Sequence, residues 1–335
     1  MKKVISMLLI LLLTVSFIAG TSISAAPKAS AKKVVLKVGN NQPDSHPWNM
    51  AIKELAALVA DYSKGGIEIV NYPNATLGNE PELLESVKEG TLDMAIVDPT
   101  VGTTFCKELE LFSLPFLFRD YEHWQKVFDG EIGKKYASLI EKKTGIKILG
   151  VWGGSTRNVI ATKKQIKSID DLQGFKLRLA PSALKFKVWK AVGTLPVTIA
   201  FGETYSALAS GLADGMENEM PSILAAKFYE PAPYFTLTQH EITVRPMFMN
   251  AKKFNSLDPK LQKALTKAMN EITVKARALE KEVGAKAEKE MVEKYGIKIA
   301  NIDKAPIIKK TSSIFKEFGG ATGTTEIIDA IVNLK

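Results

Sequence analysis

The chain has 335 residues, 46% hydrophobic and 24% charged, a globular balance that excludes disorder, collagen or coiled coil as a description of the whole. One cysteine, Cys106, excludes an internal disulfide framework and a cysteine-based zinc site, and reads as a buried small hydrophobe. The net charge of +9 allows nucleic-acid, surface or anionic-ligand partners, but the lysines are dispersed on helical faces, as at Lys275, Lys281 and Lys286.

The first element is an address. Lys2 and Lys3 precede an apolar run from Met7 to Ile18, and small residues follow through Ala26. Residues 1–26 read as a signal peptide cut near Ala25 or Ala26, or after Ala31. The run is short for a membrane span of about 20 residues. An exported, periplasmic protein follows, and export argues against nucleic acid as partner. About 309 residues then remain, enough for two domains, with net charge +7 once Lys2 and Lys3 are gone.

Val34–Val38 reads as a strand, Trp48–Tyr62 as a helix with Ile52, Leu55, Ala56 and Val59 on one face, and Ile67–Val70 as a second strand. Glu80–Glu89 is a helix with Pro81 in its first turn and Gly90 as its cap. Leu92–Val97 is an apolar run suited to a buried parallel strand. Strand and helix alternate, which predicts α/β. Val87-x-x-Gly90-x-x-Asp93 returns as Leu208-x-x-Gly211-x-x-Asp214, suggesting two similarly built lobes. A strand at Lys147–Val151 ends in Gly153-Gly154, a candidate crossing between lobes, and Thr243–Asn250 is a second. Ser168 and Asp171 fit a capping box. Asp258-Pro259 opens a helical pattern reaching about Tyr295, either one long helix or two broken at Gly284.

No catalytic constellation emerges. His46, His123 and His240 lack metal-ligand spacing, and no P-loop, dinucleotide fingerprint or nucleophile elbow is present. The reading is a non-enzyme with neither metal nor cofactor. An anion-binding arrangement does emerge. Arg178 lies near the C-terminal end of a strand at Phe175–Ala180, and Ser182 caps a helix to about Val192. Ligands of open α/β sheets bind at such strand ends, where a helix start offers free N–H groups. Arg157 follows the Gly153-Gly154 turn, so two guanidiniums and a helix start could converge on one anion. The alternative is that each arginine pairs with a protein carboxylate.

Several stretches, in order, resemble the periplasmic solute-binding proteins of TRAP transporters, the C4-dicarboxylate-binding (DctP) family. They are Asp44-Ser45-His46-Pro47, Tyr72-Pro73, Leu77-Gly78-x-Glu80, Gly90-Thr91-Leu92-Asp93-Met94 and Leu114-Pro115-Phe116-Leu117-Phe118. Then follow Ser155-Thr156-Arg157, Asp171-Leu172-x-Gly174-x-Lys176-x-Arg178 and Glu203-x-Tyr205-x-Ala207-Leu208. Gly211-x-x-Asp214-Gly215-x-Glu217-Asn218 and Lys227-Phe228-Tyr229-Glu230 complete the set.

The resemblance implies a two-lobed α/β clamshell, the periplasmic-binding-protein fold, with a hinge and a long helix bridging the lobes. Lobe I would be 32–153 plus 243–283, lobe II 154–242 plus 297–335, and the bridging helix 258–295. It implies a protein that closes on a small-molecule carboxylate and delivers it to TRAP membrane permease subunits; an exported protein serving a sensor is the alternative, and a monomer is the default oligomeric state. The family's principal carboxylate-binding arginine falls on Arg178, its supporting arginine on Arg157 and its ligand-side asparagine on Asn218. Phe201 and Asp98 match cleft positions, and Trp152, His46 and Glu80 are further candidates. Two departures stand out: Ser155 replaces a frequent Gly, and Glu219 a frequent Pro, bringing a negative charge to an expected anion site that could point outward or select a donor-bearing ligand.

Overall fold

The computed structural model describes Lys33–Lys335; the predicted signal peptide and its cleavage point lie outside these residues. β1 (Val34–Gly39) leads through α1 (Pro47–Tyr62) to β2 (Ile67–Tyr72), and α2 (Glu80–Glu89) leads to β3 (Met94–Ile96). Both β2 and β3 run parallel to β1. Pro81 opens α2, and Gly90 closes it in the left-handed conformation at φ 82°. Short 3-10 turns, α3 (Tyr121–Asp129) and α4 (Glu131–Thr144) complete this half.

β4 (Ile146–Ala161) then crosses to the second half, where β5 (Lys176–Leu179), α5 (Ala183–Val192) and β6 (Leu195–Thr198) precede α6 (Thr204–Ala209), β7 (Gly215–Glu219) and α7 (Met220–Ala225). Here β6 and β7 run parallel to β5. β8 (Tyr234–Asn250) returns antiparallel to β4 along its length. The sheet order is β2-β1-β3-β8-β4-β7-β5-β6, so the two long strands are shared by both halves.

The repeat seen in the sequence has a physical counterpart. Asp93 Oδ2 accepts from the Lys37 N–H at 2.8 Å, and Asp214 Oδ2 accepts from the Lys176 N–H at 3.0 Å. Each aspartate satisfies a backbone donor of the neighbouring parallel strand at the same place in its half.

β4 is longer than Lys147–Val151 because its glycines do not end it. Gly153 and Gly154, at φ 102° and 103°, sit where the β4–β8 register shifts between Gly153 and Thr156, so they form a bulge inside a continuous strand. β3 is shorter than Leu92–Val97.

After α8 (Ala251–Asn255), α9 (Pro259–Glu293) is one unbroken helix of 35 residues, about 52 Å long at ~1.5 Å per residue. Asp258 Oδ1 caps it by accepting from the Lys260 N–H. Gly284 does not break it, and a Cβ there would make only an ordinary 3.7 Å contact with the Pro221 ring of α7. Leu265, Ala268, Met269, Ile272 and Ala276 of α9 bury against the β1–β3 half with α1, and Ala287 and Met291 against the β7 half. β9 (Lys298–Asn301) pairs with β8. α10 (Ala305–Thr322) packs on α5, while α11 (Thr325–Asn333) reaches back to α4, and His123 of α3 bonds the Ile331 carbonyl at 2.8 Å. The 297–335 segment therefore does not serve the second half alone.

Candidate ligand-binding cleft

The two halves meet over a narrow cleft with a free volume of about 20 Å³. Its walls come from the C-terminal ends of parallel strands: Asn41 and Gln42 after β1, Asp98 after β3, Arg178 and Ala180 at the end of β5, Phe201 after β6, and Asn218 and Glu219 closing β7. Arg157 of β4, Arg245 of β8, Glu80 of α2 and Trp48 of α1 complete it.

Arg178 is 1% exposed. Its Nε and Nη2 both donate to the Ile199 carbonyl, at 3.0 and 2.7 Å, which fixes the plane of the guanidinium. Among the described residues no carboxylate lies within ion-pairing distance of it. Burial pulls its pKa down to about 10, so it stays charged at neutral pH.

Arg157 is held differently. Its Nε and Nη2 donate to Glu217 Oε2 and Oε1 at 2.5 and 2.8 Å, Nη2 also to the Glu217 carbonyl at 3.0 Å, and Nη1 to Glu219 Oε2 at 2.8 Å. Strand alternation puts Glu217 and Glu219 on one face of β7, and β4 pairing sets Arg157 opposite Glu219. Four of the five guanidinium N–H groups are thereby used. The expected convergence of two free guanidiniums does not occur; here the alternative, pairing with protein carboxylates, holds.

The start of α5 is also occupied. Glu110 Oε1 accepts from Ser182 Oγ at 2.6 Å and from the Leu184 N–H at 3.1 Å, while Ser182 Oγ accepts from the Lys185 N–H. A carboxylate from the other half already fills the position expected to serve an incoming anion.

Asp98 is a cap and an ion-pair partner at once. Its Oδ1 accepts from the Thr100 N–H and hydroxyl, and its Oδ2 accepts from Lys185 Nζ at 2.9 Å. Burial opposes its charge, but Lys185 and then Arg245 hold its pKa well below the usual carboxylate range. Lys185 also lies 3.5 Å from Glu241. Glu80, partly exposed, accepts from the Asp98 N–H at 3.0 Å, and burial with the Asp98 charge raises its pKa to about 7. Phe201 packs edge-on to Phe228 at 5.2 Å. Asn218 Oδ1 accepts from the Glu219 N–H at 3.0 Å.

Glu219 does not point outward. It is 1% exposed, bonded to Arg157, 3.5 Å from Arg245 Nη2, and accepts from Ser222 Oγ at 2.8 Å. His46 Nδ1 accepts from the Trp48 N–H, so its Nε2 carries the proton toward Ser222 Oγ at 3.2 Å. Burial lowers the His46 pKa to about 3, so the ring is neutral, and it anchors the cleft wall from behind.

Trp152, like His46, does not line the cleft. It is fully buried among the α1 and α9 side chains, and its indole N–H donates to Thr273 at 3.3 Å. The β4 residue that reaches the cleft is Arg157, beyond the bulge.

Sequence reasoning missed Arg245, Lys185, Trp48, Asn41 and Gln42. Arg245 pairs at 3.5 Å with both Asp98 and Glu219 and stands over the Trp48 ring at 5.6 Å. Asn41 Oδ1, Gln42 Oε1 and Arg245 Nε are buried without hydrogen-bond partners. Orphaned groups of this kind in a native cleft call for a ligand or water.

A parallel-stranded α/β sheet in two halves, with a buried charged cleft at the strand ends, is the construction of a small-molecule binding protein. The family of bacterial extracellular solute-binding proteins, family 7 (DctP), matches residues 38–320, and the chain belongs to it. These are the solute-binding proteins of TRAP transporters, which work with membrane permease components. A solute-binding protein of Sulfitobacter sp. strain NAS-14.1 is 29% identical over 323 residues, 95% of this chain and 97% of that one. The crystal structure of a TRAP periplasmic solute-binding protein from Xanthobacter autotrophicus Py2, with bound β-D-galacturonate, superposes with a TM-score of 0.86 at 28% identity, over 90% of this chain and 100% of that chain. One from Sulfitobacter sp. NAS-14.1, with bound α-D-taluronate, gives 0.85 at 29% identity over 89% and 97%.

Proposed function

We propose that this protein is a monomer, exported by a cleaved signal peptide, that captures a small sugar acid in the cleft between its halves and hands it unchanged to a TRAP permease. The observation that carries the reading is Arg178, a buried guanidinium fixed by the Ile199 carbonyl with no carboxylate partner among the described residues. Its planar fork suits a ligand carboxylate, with two N–H groups meeting two oxygens. Similarity to binding proteins solved with galacturonate and taluronate supports a sugar acid as the class.

Capture is a hinge closure. The bulge at Gly153-Gly154 interrupts the β4–β8 register between the halves, a suitable place for the backbone to flex. Lys185 with Asp98, and His46 with Ser222, are contacts across the cleft that form on closing. The ligand shifts the balance toward the closed form only because it binds that form better.

A thermal-shift screen of uronates, aldonates and keto acids, with neutral sugars as controls, tests this. A ligand at a hundred times its dissociation constant adds about 2.7 kcal/mol. Stabilisation by acids and not by the matching aldoses is expected. Equal stabilisation by neutral sugars, or none by any acid, refutes the reading.

A further inference from the structure

We propose that the cleft selects sugar acids bearing one carboxylate and rejects the matching dicarboxylates, and that Glu219 sets this choice by occupying Arg157 and Arg245. The inference rests on the reading of Arg178 given above and names the ligand class more narrowly.

The charges of the cleft carry it. Three buried cations line the space, Arg157, Arg178 and Arg245, and a fourth, Lys185, is bonded to the lining residue Asp98. Arg157 is matched by Glu217 and Glu219, Lys185 by Asp98 and Glu241, and Arg245 by Asp98 and Glu219. Only Arg178 lacks a carboxylate. One ligand carboxylate meets that guanidinium. A second would find every other cation within ion-pairing distance of a protein carboxylate, and would face Asp98, Glu80 and Glu219, where an unpaired buried charge is costly.

The orphaned groups point the same way. Asn41 Oδ1 and Gln42 Oε1 are acceptors without donors, and Arg245 Nε is a donor without an acceptor. Hydroxyl groups, which donate and accept, satisfy all three; a carboxylate, which only accepts, meets the last and leaves the first two unpaired. A hydroxylated remainder of the ligand therefore fits these groups better than a second carboxylate.

Glu219 is the residue on which the selection turns. Its two oxygens reach both Arg157, at 2.8 Å, and Arg245, at 3.5 Å. Glu219→Gln removes one negative charge and leaves both guanidiniums short of a partner, so a second ligand carboxylate acquires a binding place.

The test is competition calorimetry with three matched pairs: D-galacturonate with galactarate, D-gluconate with glucarate, and D-erythronate with tartrate. In the wild-type protein the monoacid of the best pair is expected to bind at least about 100-fold more tightly than its dicarboxylate, the scale of stranding one charge. In Glu219→Gln the ratio is expected to fall at least tenfold, through tighter dicarboxylate binding. Glu219→Asp keeps the charge one methylene further back and is expected to fall between the two, which preserves the test should the Gln variant fail to melt cooperatively. Arg178→Gln is run alongside. A wild-type ratio near one, with binding lost in Arg178→Gln, overturns the selection and leaves the Arg178 reading intact. An unchanged ratio in both Glu219 variants removes Glu219 as its cause. Full monoacid binding by Arg178→Gln, or binding of none of the six acids, overturns both.

Discussion

Replacing Arg178 by Met separates ligand capture from stability, because the structure assigns this side chain opposite effects on each. In the unliganded protein the charge is a burden. Burial moves its pKa from 12.5 to about 10, so the charged form is disfavoured by about 3 kcal/mol at every pH below that value. Against this stand two hydrogen bonds to the Ile199 carbonyl, together about 1–3 kcal/mol. The two nearly cancel, so the unliganded Arg178→Met protein should melt at or above the wild-type temperature. Binding should behave in the opposite way. A charge-assisted pair with the ligand carboxylate contributes about 1.5–3 kcal/mol, and its loss weakens affinity about 10- to 150-fold. Arg178→Lys keeps the charge, but one ammonium cannot both hold the Ile199 carbonyl and span two carboxylate oxygens, so at least a tenfold loss is expected there too. Scanning calorimetry without ligand and titration calorimetry with the best sugar acid measure the two halves of the argument. Affinity in Arg178→Met within threefold of wild type refutes the reasoning, and so does a wild-type affinity in Arg178→Lys.

Glu280 of α9 is 1% exposed, accepts from the Trp48 indole at 3.3 Å, and has its pKa raised to about 7 by burial and then by Glu219. Its folded value exceeds the unfolded one, so its contribution is complete below about pH 4.5 and is lost as pH rises through 7; Glu280→Gln should leave stability at pH 5 unchanged and raise it at pH 8 by up to about 3 kcal/mol in denaturant melts. Glu80 ionises near pH 7 beside Asp98, so ligand affinity should weaken as pH rises from 6 to 8, and calorimetry on Glu80→Gln should give a flatter profile. Gly153→Ala places a Cβ 2.5 Å from the Thr243 carbonyl oxygen at φ 102°, and should cost about 2 kcal/mol or more in a urea melt.

What could be read in the sequence was what short-range chemistry controls. Ser182 and Gly193 bracket α5 as expected, because a cap hydroxyl and a left-handed glycine act within one turn. Asp93 and Asp214 marked two like units because each satisfies a backbone donor that the local fold always leaves open. Gly153-Gly154 misled, since a positive φ inside a long strand bulges it as readily as it ends it. Arg178 was legible from its place at a strand end, whereas the partners that decide its neighbours were not. Lys185 meets Asp98 from 87 residues away, and Arg157 meets Glu219 from 62. Nothing in a periodic pattern announces such pairs, and they are the ones that leave a single guanidinium unmatched.

That mismatch also explains why so much charge is buried in one place. Buried ion pairs seldom stabilise a fold relative to well-packed apolar residues, because each charge must first leave water. Asp98, Glu217, Glu219, Lys185, Arg157 and Arg245 are therefore poorly accounted for as glue. They are well accounted for as a template. Each side chain has its partner, so removing any one strands another, and in the closed form the set fixes the geometry that the ligand meets. Parallel strands from both halves deliver the pieces to one cleft, since the ends of β1 and β3 face those of β5, β6 and β7 across β4 and β8. Among the described residues, the fixed pairs leave Arg178 as the cleft cation with no protein carboxylate beside it. A site built this way recognises charge by counting it.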